Sequence, residues 1–169
     1  MQLKDYPKHY SMRGELGFEL YKQMKENKDI WVLLPDQGYK LFWPHRDSFP
    51  DRTIIMGAAE QAVTGMAIGL ALKDKIPFIF TLTPFVLFRD YEWVRSYIDH
   101  ESIPVKLIGQ GRGDDYIKDA YTHTAWGDKQ VLESLPNVVQ YWPKTNEEVP
   151  EMVREMVTNN KPSFISLLK

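Results

Sequence analysis

The sequence predicts an α/β protein, a parallel sheet of about six strands flanked by helices, with residues 1–169 forming one domain. Three observations carry this reading. Apolar runs of strand length alternate with stretches of helical period along the chain. The run Ile30-Trp-Val-Leu-Leu34 is apolar at every position, as in strands buried on both faces of a parallel sheet. Turn signals such as Pro35-Asp36-Gln37-Gly38 separate the runs, and no repeat or linker interrupts them.

The elements follow in order. Leu16, Leu20 and Met24 recur at spacing four, which predicts a first helix over 12–25 with Ser11 as its N-cap. The strand 30–34 comes next. Residues 39–52 read as irregular, because Pro44 and Pro50 break them. A short strand at 53–56 leads into a helix reaching residue 72, in which small residues from Gly57 to Ala71 fill most of one face. Interior glycines cost about 0.5–1 kcal/mol each relative to Ala, so close packing on the sheet or on a partner must offset them. A strand at 77–83 is followed, after Pro84, by an aromatic amphipathic helix over 85–97. Residues 103–108 form a strand, and 109–126 a long connection of the kind that is usually functional or mobile. A short helix at 127–135, a strand at 137–141, a helix capped by Thr145 or Asn146 and running to 158, and a strand at 163–168 complete the alternation.

Composition narrows the function. The net charge of −2 argues against a nucleic-acid protein. With no Cys, disulfides, thiolate nucleophiles and cysteine-bound metals are excluded. No apolar run reaches membrane-spanning length and the first residues lack a signal-peptide core, so the expected location is cytoplasmic. Tyr39, Phe42, Trp43, Trp126 and Trp142 fall outside any core periodicity. They read either as a partner surface or as the edges of a large core.

Three features bear on chemistry. Gly109-Gln-Gly111-Arg-Gly113 follows a strand, but position 114 is Asp and no helical pattern opens there, so it is no dinucleotide fingerprint; a P-loop is absent too. No two of the four histidines stand at i, i+4, and no metal site is readable; His123 in the long loop reads as a solvated residue or as a catalyst. Glu60 is the only charge between Arg52 and Lys73. A carboxylate in so apolar a stretch is pushed toward its neutral acid, which can donate a hydrogen bond to a ring nitrogen. It reads equally as an acid favoured by the helix dipole.

The stretch from Arg52 to Leu72, with Gly57-x-x-Glu60, and then Pro77 to Tyr91, with Phe85-x-x-Phe88-x-x-Tyr91, resembles the pyrimidine-binding domain of the transketolase family, of transketolase or 1-deoxyxylulose-5-phosphate synthase type. The resemblance covers essentially the whole chain. It implies a thiamine-diphosphate enzyme that transfers a two-carbon or acyl unit from a ketose phosphate or 2-ketoacid. Glu60 then takes the place of the catalytic glutamate that hydrogen-bonds N1' of the aminopyrimidine and drives the tautomer that deprotonates the thiazolium carbon. Phe85, Phe88 and Tyr91 take the place of the aromatic wall against the pyrimidine, and Arg89 that of an arginine near the cofactor. In the long loop, Asp119-x-x-x-His123 matches substrate-contacting residues, His123 counting as catalytic, and Arg112 matches an arginine that binds a sugar phosphate. Two positions depart from the pattern: Gly111 stands where transketolase has a phosphate-binding His and the synthase an Asp, and Ala120 stands where Gly is usual.

The resemblance also implies a partner. Family members hold Mg²⁺ and the diphosphate through Gly-Asp-Gly and a downstream Asn on a separate domain, and a C-terminal domain normally follows. Gly113-Asp114-Asp115 matches only the first two residues of that motif. The expectation is a stand-alone subunit of a split enzyme, in an α2β2-like hetero-oligomer whose diphosphate-binding subunit supplies the metal ligands. A non-catalytic α/β interaction module and a 2-ketoacid decarboxylase or dehydrogenase subunit are the alternatives.

Overall fold

The structure, a computed structural model, describes residues 3–7 and 9–169. The Tyr39 side chain, one of the aromatics singled out above, lies outside the described residues. Six strands form one sheet: β1 (Ile30–Leu34), β2 (Thr53–Ile55), β3 (Ile76–Leu82), β4 (Lys106–Gln110), β5 (Val139–Tyr141) and β6 (Ser163–Leu167), in the order β2-β1-β3-β4-β6-β5. Every pairing is parallel, so each connection crosses over one face of the sheet. The sheet is α/β as predicted.

Strand period explains the two cores. Ile30, Val32 and Leu34 of β1 point to one face with Phe78, Phe80, Ile108, Ile165 and Leu167. There α1 (Met12–Glu26), α2 (Tyr39–Ser48) and α6 (Val149–Thr158) cover them. Leu33, Ile79, Leu107 and Phe164 point to the other face, under α3 (Glu60–Ala71), the segment after β3, and α5 (Asp128–Glu133). Ser11 caps α1 as predicted, its Oγ accepting from the Gly14 N–H at 3.1 Å.

Four expectations change. Residues 39–48 are helical despite Pro44, because the helix buries Phe42 and His45 against Tyr6, Tyr21 and Phe80, which outweighs the one N–H that Pro44 lacks. Phe42 is therefore core, whereas Trp43 and Trp126 are exposed and Trp142 packs on Phe164. The helix α6 starts at Val149 with Glu148 in the cap position, so neither Thr145 nor Asn146 caps it; the Glu148 carboxylate instead accepts from the Lys144 N–H at 2.6 Å. The segment after Pro84 is no regular helix: Phe85–Arg89 and Val94–Asp99 have π-helical turns around the short α4 (Tyr91–Trp93). Bonding i→i+5 winds the chain more loosely than an α-helix, and Tyr91, at i+6 from Phe85, leaves the face that Phe85 and Phe88 share.

Nor do the small residues of 56–72 share one face. Ala67 and Ala71 are buried on the sheet beside Val63 and Ile68, while Ala58, Ala62 and Gly69 face outward. A Cβ on Gly69 would meet nothing within 4 Å, and one on Gly65 only the Trp93 ring at 3.9 Å. Packing within the chain does not require these glycines. Gly109 is the opposite case: it lies inside β4, and a Cβ there would come within 2.6 Å of Thr83 Oγ1 and 2.8 Å of the Phe164 ring.

Candidate active site

The residues singled out above converge on the carboxyl ends of the strands, where open α/β sheets place their clefts. After β2 the chain continues its pairing to β1 through Met56 N–H to the Leu34 carbonyl (2.9 Å) and Gly57 N–H to the Pro35 carbonyl (3.2 Å). Gly57 then turns it with φ +77°, a conformation that favours glycine. This delivers Glu60 as the first residue of α3, 4 % exposed, with its carboxylate at the positive end of the helix. Phe85, Phe88 and Arg89 are delivered by the π-helical segment after β3.

Four of the predicted residues form a row. Arg89 Nη1 lies 2.7 Å from Glu60 Oε1. The Arg89 guanidinium carbon stands 4.0 Å above the centre of the Phe85 ring. The Phe85 ring meets that of His123 edge-on at 5.1 Å, which brings the long loop over the site. Phe85, Phe88 and Arg89 line a mainly apolar cleft of about 630 Å³ together with Pro84, Trp126 and Val131. Glu60 Oε1 is buried and, although close to the guanidinium, has no hydrogen bond of good geometry. An apolar cleft walled by Phe85 and Phe88, with a buried carboxylate reached through the Arg89 that lines it, suits a flat aromatic ring. Among the described residues no group of three or more His, Asp or Glu side chains could hold a metal ion.

Phe88 lines the cleft beside the row, and three predicted residues stand outside both. Tyr91 does not line the cleft; its hydroxyl pairs with Ser134 Oγ at 3.0 Å beyond α5, as the looser π-helical winding dictates. The Arg112 guanidinium is held at the end of β6, where Nε donates to Ser166 Oγ at 3.0 Å and Nη2 to the Ser166 carbonyl, and it stacks 5.6 Å from the Trp142 ring centre. Asp119 is exposed on a surface turn, its N–H bonded to the Tyr116 carbonyl at 2.9 Å.

Two groups had no signal in the sequence. Asp90, 1 % exposed, lies against the site and accepts from Thr64 Oγ1 at 2.5 Å. In a regular helix the pair Arg89-Asp90 would read as a solvated surface. Burial, and after it the negative charge of Glu60, pushes the Asp90 carboxyl up to about 6, against the pull of the Thr64 hydroxyl. The second group is a more polar cleft of about 500 Å³, lined by Ser11, Arg13, Asp36, Lys40 and Gln110 among others. Arg13 Nη1 donates there to Gln110 Oε1 and the Tyr116 hydroxyl, both at 3.3 Å.

The model of the transketolase pyrimidine-binding domain family matches residues 8–169. The chain belongs to that family. It is 31 % identical over 124 residues to an apulose-4-phosphate transketolase subunit of Actinobacillus succinogenes, covering 73 % of this chain and 40 % of that protein. It is 29 % identical over 153 residues to a 1-deoxy-D-xylulose-5-phosphate synthase of Clostridium botulinum, covering 90 % and 24 %. A solved split-gene transketolase, described as an inactive β4 tetramer, superposes with a TM-score of 0.83 at 28 % identity, covering 94 % of this chain and 52 % of that one. The chain spans about half the length, or less, of the curated relatives it matches.

Within the family's fold, one backbone position in the loop is strained. Ala120 has φ +73° and ψ 171°, a region that belongs to glycine and costs other residues about 1–3 kcal/mol. Ala120→Gly is expected to stabilise the protein by about 1 kcal/mol after the extra chain entropy of glycine is subtracted. A rise in the denaturant midpoint checks this, and a fall contradicts it.

Proposed function

We propose that this chain is the pyrimidine-binding subunit of a split thiamine-diphosphate-dependent transketolase that moves a two-carbon or acyl unit from a ketose phosphate or 2-ketoacid. The observation that carries the reading is the row of contacts Glu60–Arg89–Phe85–His123 beside the cleft that Phe85, Phe88 and Arg89 line. The cofactor, when bound, supplies an electron sink for the carbonyl carbon of the donor. Glu60 holds the ring nitrogen and passes a proton to it, a task suited to a buried carboxyl. Phe85 and Phe88 would exclude water and hold the plane of the ring, with Arg89 beside them at the Glu60 carboxylate. His123, edge-on to the Phe85 ring, can hold a proton beside the reacting carbonyl. Asp119 and Arg112 serve the substrate, Arg112 only if it exchanges Ser166 for a phosphate, and Tyr91 supports the wall from behind. The polar cleft with Arg13 and Lys40 suits the hydroxyls or phosphate of a sugar.

The same reading has Mg²⁺ and its ligands come from a diphosphate-binding partner in an α2β2-like hetero-oligomer located in the cytoplasm. Its support is that relatives are themselves described as transketolase subunits or split-gene products, and that the outward glycines of α3 leave room for a close helix contact. Calorimetry of thiamine diphosphate with Mg²⁺ tests it. No heat is expected from the chain alone, and saturable binding once a chain bearing Gly-Asp-Gly and a downstream Asn is added. If no such partner confers binding, the chain is a non-catalytic interaction module. Release of carbon dioxide from a 2-ketoacid without an acceptor sugar would make it instead a decarboxylase or dehydrogenase subunit.

A further inference from the structure

We propose that Asp90 is a positioning residue for Glu60: its buried carboxyl is the second acid of the cofactor slot and sets, through its charge, how readily Glu60 gives a proton to the ring nitrogen. The inference rests on the cofactor reading above and deepens it. Thr64, which donates to Asp90 Oδ2, is four residues after Glu60, so it stands one turn further along the same buried face of α3. The other oxygen, Oδ1, is buried with no hydrogen-bond partner. Stability does not call for such a group, because burying an acceptor with nothing to donate to it is destabilising.

The charged groups that face Asp90 are Glu60, from α3, and Arg89, from its own segment. Glu60's charge works against Asp90 ionising and Arg89's works for it, while the Arg89 guanidinium itself contacts Glu60. Such coupling is reciprocal.

Carboxyl carbon NMR on the isolated chain tests the coupling without any cofactor. In Glu60→Gln the Asp90 titration midpoint is expected to fall by at least about half a pH unit, because a like charge has gone. In Arg89→Gln, a change at a half-exposed side chain, it is expected to rise. Midpoints that stay at the wild-type value in both variants overturn the proposal. A second arm reads the affinity of the reconstituted complex for thiamine diphosphate against pH. Asp90→Asn keeps the shape and the Thr64 hydrogen bond, and is expected to flatten the profile between about pH 5 and 7. A wild-type profile in that variant overturns the role toward Glu60. If the complex binds no cofactor at all, the functional reading fails, while the NMR arm still decides the coupling.

Discussion

Replacing Glu60 with Gln is expected to lower turnover of the reconstituted complex by about three orders of magnitude or more, with the fold retained. Gln keeps the length of the side chain and can still accept from Arg89. It cannot hold and release a proton, and that is the property the site needs at the ring nitrogen. Glu60 sits where two features fix its position, the positive end of α3 and the 2.7 Å contact with Arg89, and it is buried there. Cofactor affinity is expected to change by less than about tenfold, since the diphosphate and the stacked ring supply most of the binding. A variant that turns over at near the wild-type rate contradicts the assignment.

The second large effect concerns stability in acid. His45 is fully buried among Tyr6, Tyr21 and Phe42, and neither ring nitrogen has a hydrogen-bond partner of good geometry. Burial holds its imidazole neutral, pushed down to about 3, and outweighs the pull of the Gly17 backbone. In the unfolded chain His titrates near 6.5. Between those values the unfolded chain binds a proton that the folded one does not. Stability therefore falls as pH falls from about 6.5 toward 3, by up to about 1.4 kcal/mol per unit. Between pH 7 and pH 5 the His45 share is about 2 kcal/mol, or about 4–8 °C in melting temperature for a domain of this size. His45→Leu removes that share. Thermal melts of both proteins at the two pH values read it as a difference of slopes, and parallel slopes contradict it.

The fold was legible in the sequence because strand burial leaves a local trace. Every strand of the sheet overlaps a predicted strand run, and Ser11 caps α1 through a side chain whose reach is set by local geometry. Beginnings and ends were less legible: β4 starts at Lys106 and extends through Gly109, where the close approach of Thr83 and Phe164, both distant in sequence, decides the conformation. The helix α2 was hidden by Pro44, since its stability comes from tertiary burial of Phe42 and His45. In the site, Glu60 stood out because it is the lone charge of its stretch. Asp90 did not, because only the π-helical winding of its segment turns it inward under Thr64. For the same reason Phe85 and Phe88 share the cleft while Tyr91 faces Ser134.

Central to the proposed function is that the Glu60 carboxyl of this chain activates a cofactor whose site is completed by another chain. Exchange of the thiazolium C2 proton of thiamine diphosphate for deuterium, followed by proton NMR in the reconstituted complex, tests it without a known substrate. Fast exchange is expected in the wild-type complex, and a rate at least about a hundredfold slower in Glu60→Gln with the cofactor still bound. Equal exchange rates in the two complexes would contradict it.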